Sequence, residues 1–147
     1  MEHKLFIIFI VANFFQAMAF EEKLTCNIFL DKYTVYVANL LPSGNPDPLT
    51  AHCASKDWEV WNSTIAANQN ISWSFCNSFI GRTLFFCHLF WGWRDASFDV
   101  FNSKLKASCF GLVCYWEVRS DGMYLSGSYP PMNFKKMHDW NNPKHNI

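Results

Sequence analysis

Leu112–Ser120 places Cys114, Trp116 and Val118 on one side and Tyr115, Glu117 and Arg119 on the other. That period of two is what a strand with one buried face requires, because successive side chains leave a strand on opposite sides. Asp121-Gly122 follows and predicts a hairpin turn, where tight geometry needs positive φ, with Met123–Ser126 as the return strand. Ile71–Phe75 alternates in the same way, with Ile71, Trp73 and Phe75 set against Ser72 and Ser74. No segment sustains a helical period. These patterns predict an all-β fold.

Further strands are expected at Tyr33–Leu40, Leu49–Ala54 and Ala96–Phe101. Thr83–Trp91 is apolar on both faces and is predicted to be central or covered. Between the first two strands, Pro42-Ser43-Gly44-Asn45-Pro46-Asp47-Pro48 is a surface loop, since proline removes backbone donors and fixes φ. Ser55–Gln69 reads as polar and irregular, and Asn77–Gly81 and Gly92–Asp95 as turns. Seven or so short strands separated by turns suggest a small antiparallel β-sandwich. Tyr129–Ile147, with three prolines among its residues, reads as a tail with a helical turn near Lys135–Trp140 and with Trp140 docked on the domain.

The chain begins with the layout of a secretory signal peptide. Lys4 precedes the apolar run Leu5–Phe15, and Ala17-Met18-Ala19 is a small-x-small cleavage pattern. The run is shorter than the ~20 residues a spanning helix needs, so cleavage after Ala19 is expected rather than anchoring. The expected organisation is a signal peptide over residues 1–19, a sandwich domain over 20–128 and a C-terminal tail over 129–147, with an extracellular location.

All six cysteines (Cys26, Cys53, Cys76, Cys87, Cys109, Cys114) follow that cleavage site. An even count in an exported chain implies disulfides, without saying which cysteines pair. Metal binding is not expected, because no C-x2-C or H-x3-5-H partner accompanies Cys109 and Cys114. Asn62-Ser63-Thr64 and Asn70-Ile71-Ser72 are glycosylation sequons, with Asn62 the more favourable because Asn70 abuts a strand.

Twelve basic and twelve acidic residues balance. A neutral chain has no electrostatic footprint for nucleic acid. Lys135-Lys136 is the only basic dipeptide, so no polybasic membrane run is present either. A protein or glycan partner fits better, and no cofactor is implied.

Catalytic patterns are sparse. His52 and His88 each sit beside a cysteine on an expected strand and could meet across a sheet, with Arg82 or Arg94 as the cation a nuclease would need. Nothing in their spacing marks an acid–base pair, so structural histidines are the simpler expectation. His138 and His145 are expected to be solvated in the tail. Asp95, Asp99, Glu117 and Asp121 offer carboxylates for glycoside hydrolysis, although Asp121 is explained by its turn. There is no G-x-S-x-G elbow and no Gly-rich phosphate loop. Trp58, Trp61, Trp91 and Trp93 offer a sugar- or protein-binding platform, with Trp58 and Trp61 the better surface candidates.

Several segments together resemble the plant self-incompatibility S-protein homologue family. They are Phe75-Cys76-Asn77-x-Phe79-x-Gly81-x-Thr83-Leu84-Phe85-Phe86-Cys87-His88, Phe98-Asp99-Val100-Phe101, Cys109-x4-Cys114-x-Trp116, His52-Cys53-x-Ser55-Lys56-Asp57 and Asp121-Gly122-x-Tyr124. The resemblance runs from about Tyr33 to Leu125. It implies a small secreted β-sandwich that acts in recognition without catalysis, through an unknown cell-surface receptor or extracellular protein. Family cysteines map to Cys53, Cys87, Cys109 and Cys114, and the resemblance leaves Cys26 with Cys76. Trp58-Glu59-Val60 departs from the acidic, then Leu-Gly pattern usual in the family, so divergent recognition is expected there. The loops Leu41–Pro48 and Ser55–Asn70 are the expected recognition segments. The alternatives are a small hydrolase using His52 or His88, and a carbohydrate-binding module using Trp58 and Trp61.

Overall fold

A computed structural model describes residues 24–142. The expected signal peptide and His145 lie outside them. Nine strands occur among the described residues: β1 (Lys32–Asn39), β2 (Leu49–Ala54), β3 (Glu59–Ile65), β4 (Asn70–Cys76), β5 (Phe85–Trp91), β6 (Arg94–Phe101), β7 (Val113–Arg119), β8 (Gly122–Ser126) and β9 (Lys135–His138). They form a five-stranded sheet, β4-β1-β7-β8-β9, and a four-stranded sheet, β3-β2-β5-β6. The all-β sandwich is the one expected. Neighbours are antiparallel except β1 and β7, which run parallel with Val35 beside Cys114 and Val37 beside Trp116.

The alternating residues of each sheet meet in the middle. Trp116, Val118, Val35 and Val37 from one sheet face Leu49, Leu89 and Val100 from the other, all essentially inaccessible to solvent. Trp116 carries the one polar group of this centre. Its Nε1 donates to the Val100 carbonyl at 3.0 Å, so the indole spans both sheets without leaving an unpaired donor. Three disulfides join Cys26–Cys76, Cys53–Cys87 and Cys109–Cys114. Cys53 and Cys87 are direct partners across β2 and β5, and Cys26 ties the N-terminal segment to the end of β4.

Three sequence expectations are corrected. The segment Ser55–Gln69 is not irregular throughout, because Glu59–Ile65 forms edge strand β3. Only one side of an edge strand is paired, and its exposed Asn62, Ser63 and Thr64 mask the alternation. Lys135–His138 is strand β9, not a helical turn; it pairs with β8, Met123 opposite His138. β5 is central within its sheet, as expected; it is covered on one face, and Phe90 is 42% exposed on the other. The β7–β8 turn is Ser120-Asp121, because Gly122 already pairs with Arg119. Glycine is needed at 122 for close approach, as its φ is +145° and a Cβ there would collide with the His138 carbonyl.

Candidate recognition surface

The β1–β2 loop, the β3–β4 connection, the β5–β6 hairpin and the β7–β8 hairpin all leave the sandwich at the same end. Asn39 organises this end. It is 4% exposed, its Nδ2 donates to the Ile65 carbonyl at 2.8 Å, and its Oδ1 accepts from the Leu41 amide at 2.9 Å. Its backbone exchanges bonds with Gln69 and Asn68. One buried side chain thereby fixes the start of the Leu41–Pro48 loop against the end of β3. Between them lies an open cleft of about 200 Å³, lined by Leu41, Pro42, Asn45 and Asp47 on one wall and by Thr64 and Ala66 on the other.

The two expected recognition segments are therefore related differently from the sequence picture. Leu41–Pro48 and Thr64–Ala67 share this cleft, whereas β3 carries Ser55–Trp58 to the opposite end. A second, polar cleft of about 310 Å³ at the same end lies among Arg94, Ser120, Asp121, Asp139 and Trp140. Its carboxylates are engaged. The Tyr124 hydroxyl donates to Asp121 at 2.6 Å and holds that carboxyl below its ordinary value. Asp139 binds Lys136 at 2.6 Å and pushes the ammonium pKa up. Trp140 docks as expected, 8% exposed, with Nε1 donating to the Arg119 carbonyl at 2.9 Å.

The histidines do meet across a sheet. His52 is the direct partner of His88, in a row that runs Asn62, His52, His88, Ser97 over the outer face of the four-stranded sheet. Each imidazole has its own carboxylate: His52 Nε2 lies 3.2 Å from Glu59, and His88 Nε2 lies 3.0 Å from Asp95. Arg94 lies elsewhere, stacked on Trp91 and Trp93. The four carboxylates considered for glycoside hydrolysis are separately committed, Asp95 to His88, Asp99 to Asn102, Glu117 to Arg119 and Asp121 to Tyr124. His138 is not solvated as expected. It is part-buried against Phe98 and Trp116, and burial pushes its pKa down.

The tryptophans do not assemble into a platform. Trp91 is buried, Trp61 packs toward the core opposite Cys53, and Trp93 is exposed at the cleft end. Trp58 is 45% exposed at the other end, edge-on to Phe85. Asn62 and Asn70 are both exposed, on edge strands β3 and β4. Among the described residues, no cluster of three or more His, Cys, Asp or Glu side chains could hold a metal ion.

The family model for plant self-incompatibility protein S1 matches residues 34–140, which runs from β1 through the docked Trp140. The chain belongs to this family. The S1-family protein is 36% identical over 95 residues to S-protein homolog 2 of Arabidopsis thaliana, covering 62% of this chain and 58% of the relative. It is 31% identical over 84 residues to self-incompatibility protein S1 of Papaver rhoeas, covering 55% and 60%. S-protein homolog 4 of Arabidopsis thaliana matches over 121 residues at 28% identity, covering 75% and 73%. The match thus spans about three fifths of the first two relatives' length. No solved structure matches. The family match ends beyond the sequence-based resemblance, because β9 and Trp140 complete the five-stranded sheet and carry too little alternation to be read as part of it.

Proposed function

We propose that this protein is a secreted recognition protein, an extracellular ligand that acts by non-covalent binding to a cell-surface receptor or another extracellular protein, in reproduction, development or defence. The observation that carries the reading is the cleft between Leu41–Pro48 and Thr64–Ala67, where the hydrogen bonds of Asn39 to Leu41, Ile65, Asn68 and Gln69 hold two segments in one fixed relation. Loops positioned by a rigid scaffold are where binding residues concentrate. The signal-peptide pattern supports export, as does the absence of any free cysteine. Among the described residues no helix is long and apolar enough to cross a membrane. Glycans on Asn62 and Asn70 fit the exposure of both side chains. Labelled protein applied to living plant cells is expected to bind saturably and to be displaced by unlabelled protein. Absence of displaceable binding refutes the proposal.

One observation favours a hydrolase as the second reading: His52 stands opposite His88, each beside a carboxylate. Against it, the two Nε2 atoms are committed to separate carboxylates, and neither cleft is lined by these histidines. An acid–base pair must reach one reacting group. Nuclease and glycosidase assays on the disulfide-bonded protein decide, with His52→Ala as control.

A further inference from the structure

The end of the sandwich opposite the cleft carries the most exposed large apolar side chains of the described residues. Ile28 is 90% exposed, Phe79 84%, Phe29 75%, Phe110 73% and Ile80 67%. They lie far apart in sequence and are gathered by the fold. The Cys26–Cys76 disulfide and the Asn77 amide donating to the Asp31 carbonyl at 2.9 Å hold the Ile28-Phe29 turn beside the Phe79-Ile80 loop. Gly81 in turn abuts Ser103, which begins the segment leading to Phe110; a Cβ on Gly81 would stand 3.8 Å from that of Ser103.

The charges on the same loops have one dominant sign. On these loops exposed Lys32, Arg82, Lys104 and Lys106 stand against Asp31, and the β2–β3 turn at the same end adds Lys56 with Asp57 and Glu59, a basic excess of five exposed cations over three carboxylates. At the cleft end the exposed carboxylates Asp47, Asp121 and Asp139 stand with the half-buried Arg94 and Arg119. The exposed charge of a chain of zero net charge thus has a basic excess at the end that carries the apolar side chains. The cations are scattered along the chain, which is why the sequence has no polybasic run.

We infer that this end docks onto an anionic lipid surface, with Ile28, Phe29, Phe79, Ile80 and Phe110 entering the headgroup–acyl boundary and Lys32, Arg82, Lys104 and Lys106 meeting lipid phosphates. Separate apolar fingertips ringed by cations suit a fluid surface, where aromatic and aliphatic side chains bury shallowly and cations add electrostatic attraction. A protein partner suits them less well. Interface cores are depleted in lysine, and here three of the four cations are lysines. The docking needs no spanning segment, and it leaves the cleft end facing away from the membrane. It does not depend on the cleft's being a recognition site.

The test is sedimentation of the disulfide-bonded protein with vesicles of phosphatidylcholine alone or of phosphatidylcholine with about a third phosphatidylserine. Binding is expected to the anionic vesicles and to weaken with added salt. Ile28→Asp/Phe79→Asp is expected to reduce it tenfold or more. Arg82→Glu/Lys104→Glu is expected to weaken it by more than the ~fivefold that each lost cation would give. All four side chains are exposed, so an unchanged melting temperature excludes misfolding as the cause. No binding to anionic vesicles, or binding that the apolar substitutions leave intact, overturns the inference. So does dimerisation abolished by Ile28→Asp/Phe79→Asp without vesicle binding, which would assign the surface to a second copy of the chain.

Discussion

His52 faces His88 across the β2–β5 pair, one residue along from the Cys53–Cys87 disulfide, and each imidazole turns to a carboxylate of its own. The Cα atoms of Cys53 and Cys87 are 4.1 Å apart, the narrow spacing of an antiparallel pair, so the histidines occupy the adjoining wider one. With Glu59 drawing one ring toward β3 and Asp95 drawing the other toward β6, the pair diverges. The double variant His52→Ala/His88→Ala is expected to fold and to bind cells as the parent does. Its loss of stability should stay below about 2 kcal/mol, at most about 1 for each of the two exposed ion pairs. Denaturant midpoints and the cell-binding isotherm check both.

The disulfides should differ in weight. By chain entropy, Cys53–Cys87, with a sequence separation of 34, contributes roughly 4 kcal/mol, against about 2 kcal/mol for Cys109–Cys114, with a separation of 5. Paired Cys→Ala variants measured by urea unfolding are expected to follow that order. The reverse order would show that packing of the buried sulfurs outweighs loop closure.

Asn39 is expected to be costly to replace. Asn39→Ala leaves the Ile65 carbonyl and the Leu41 amide without partners, a loss of about 1–3 kcal/mol for each group left buried and unpaired. Amide exchange should rise selectively across Leu41–Pro48 and Ala66–Gln69. Uniform acceleration over the whole chain would mean that Asn39 supports the fold at large and not the cleft.

Stability should fall in mild acid through His138. Burial beside Phe98 and Trp116 pushes its imidazole below the ordinary 6.5, while Asp99 and Asp139 pull it up to a lesser extent. The unfolded chain then binds a proton near pH 6.5 that the folded chain refuses. The stabilisation is complete above that pH and is lost as pH drops through the folded-state value. Melting temperatures from pH 7.5 to 5 are expected to decline less steeply in His138→Phe than in the parent.

The strands that build the core were legible because their chemistry alternates. Ile71, Trp73 and Phe75 point inward, as do Cys114, Trp116 and Val118, and no other backbone conformation places them on one face. β3 and β9 were not legible, since edge strands expose most of their side chains and Asn62-Ser63-Thr64 or Lys135-Lys136 gives no period to read. The parallel β1–β7 pairing was also hidden, because local alternation sets faces and not neighbours. The cleft was half legible. Its proline-rich wall was evident, but the opposite wall depends on Asn39 reaching Ile65, a contact between residues far apart in sequence. A buried asparagine at the end of an apolar strand was the available signal.

The most direct test is the cell-surface binding isotherm of the parent against a variant in which Leu41–Pro48 is replaced by a Gly-Ser segment of equal length. The parent is expected to bind saturably and the variant at least tenfold more weakly, with unchanged disulfides and a retained cooperative melt. Undiminished binding by the loop variant, or a hydrolytic turnover that His52→Ala abolishes, would contradict recognition through the cleft.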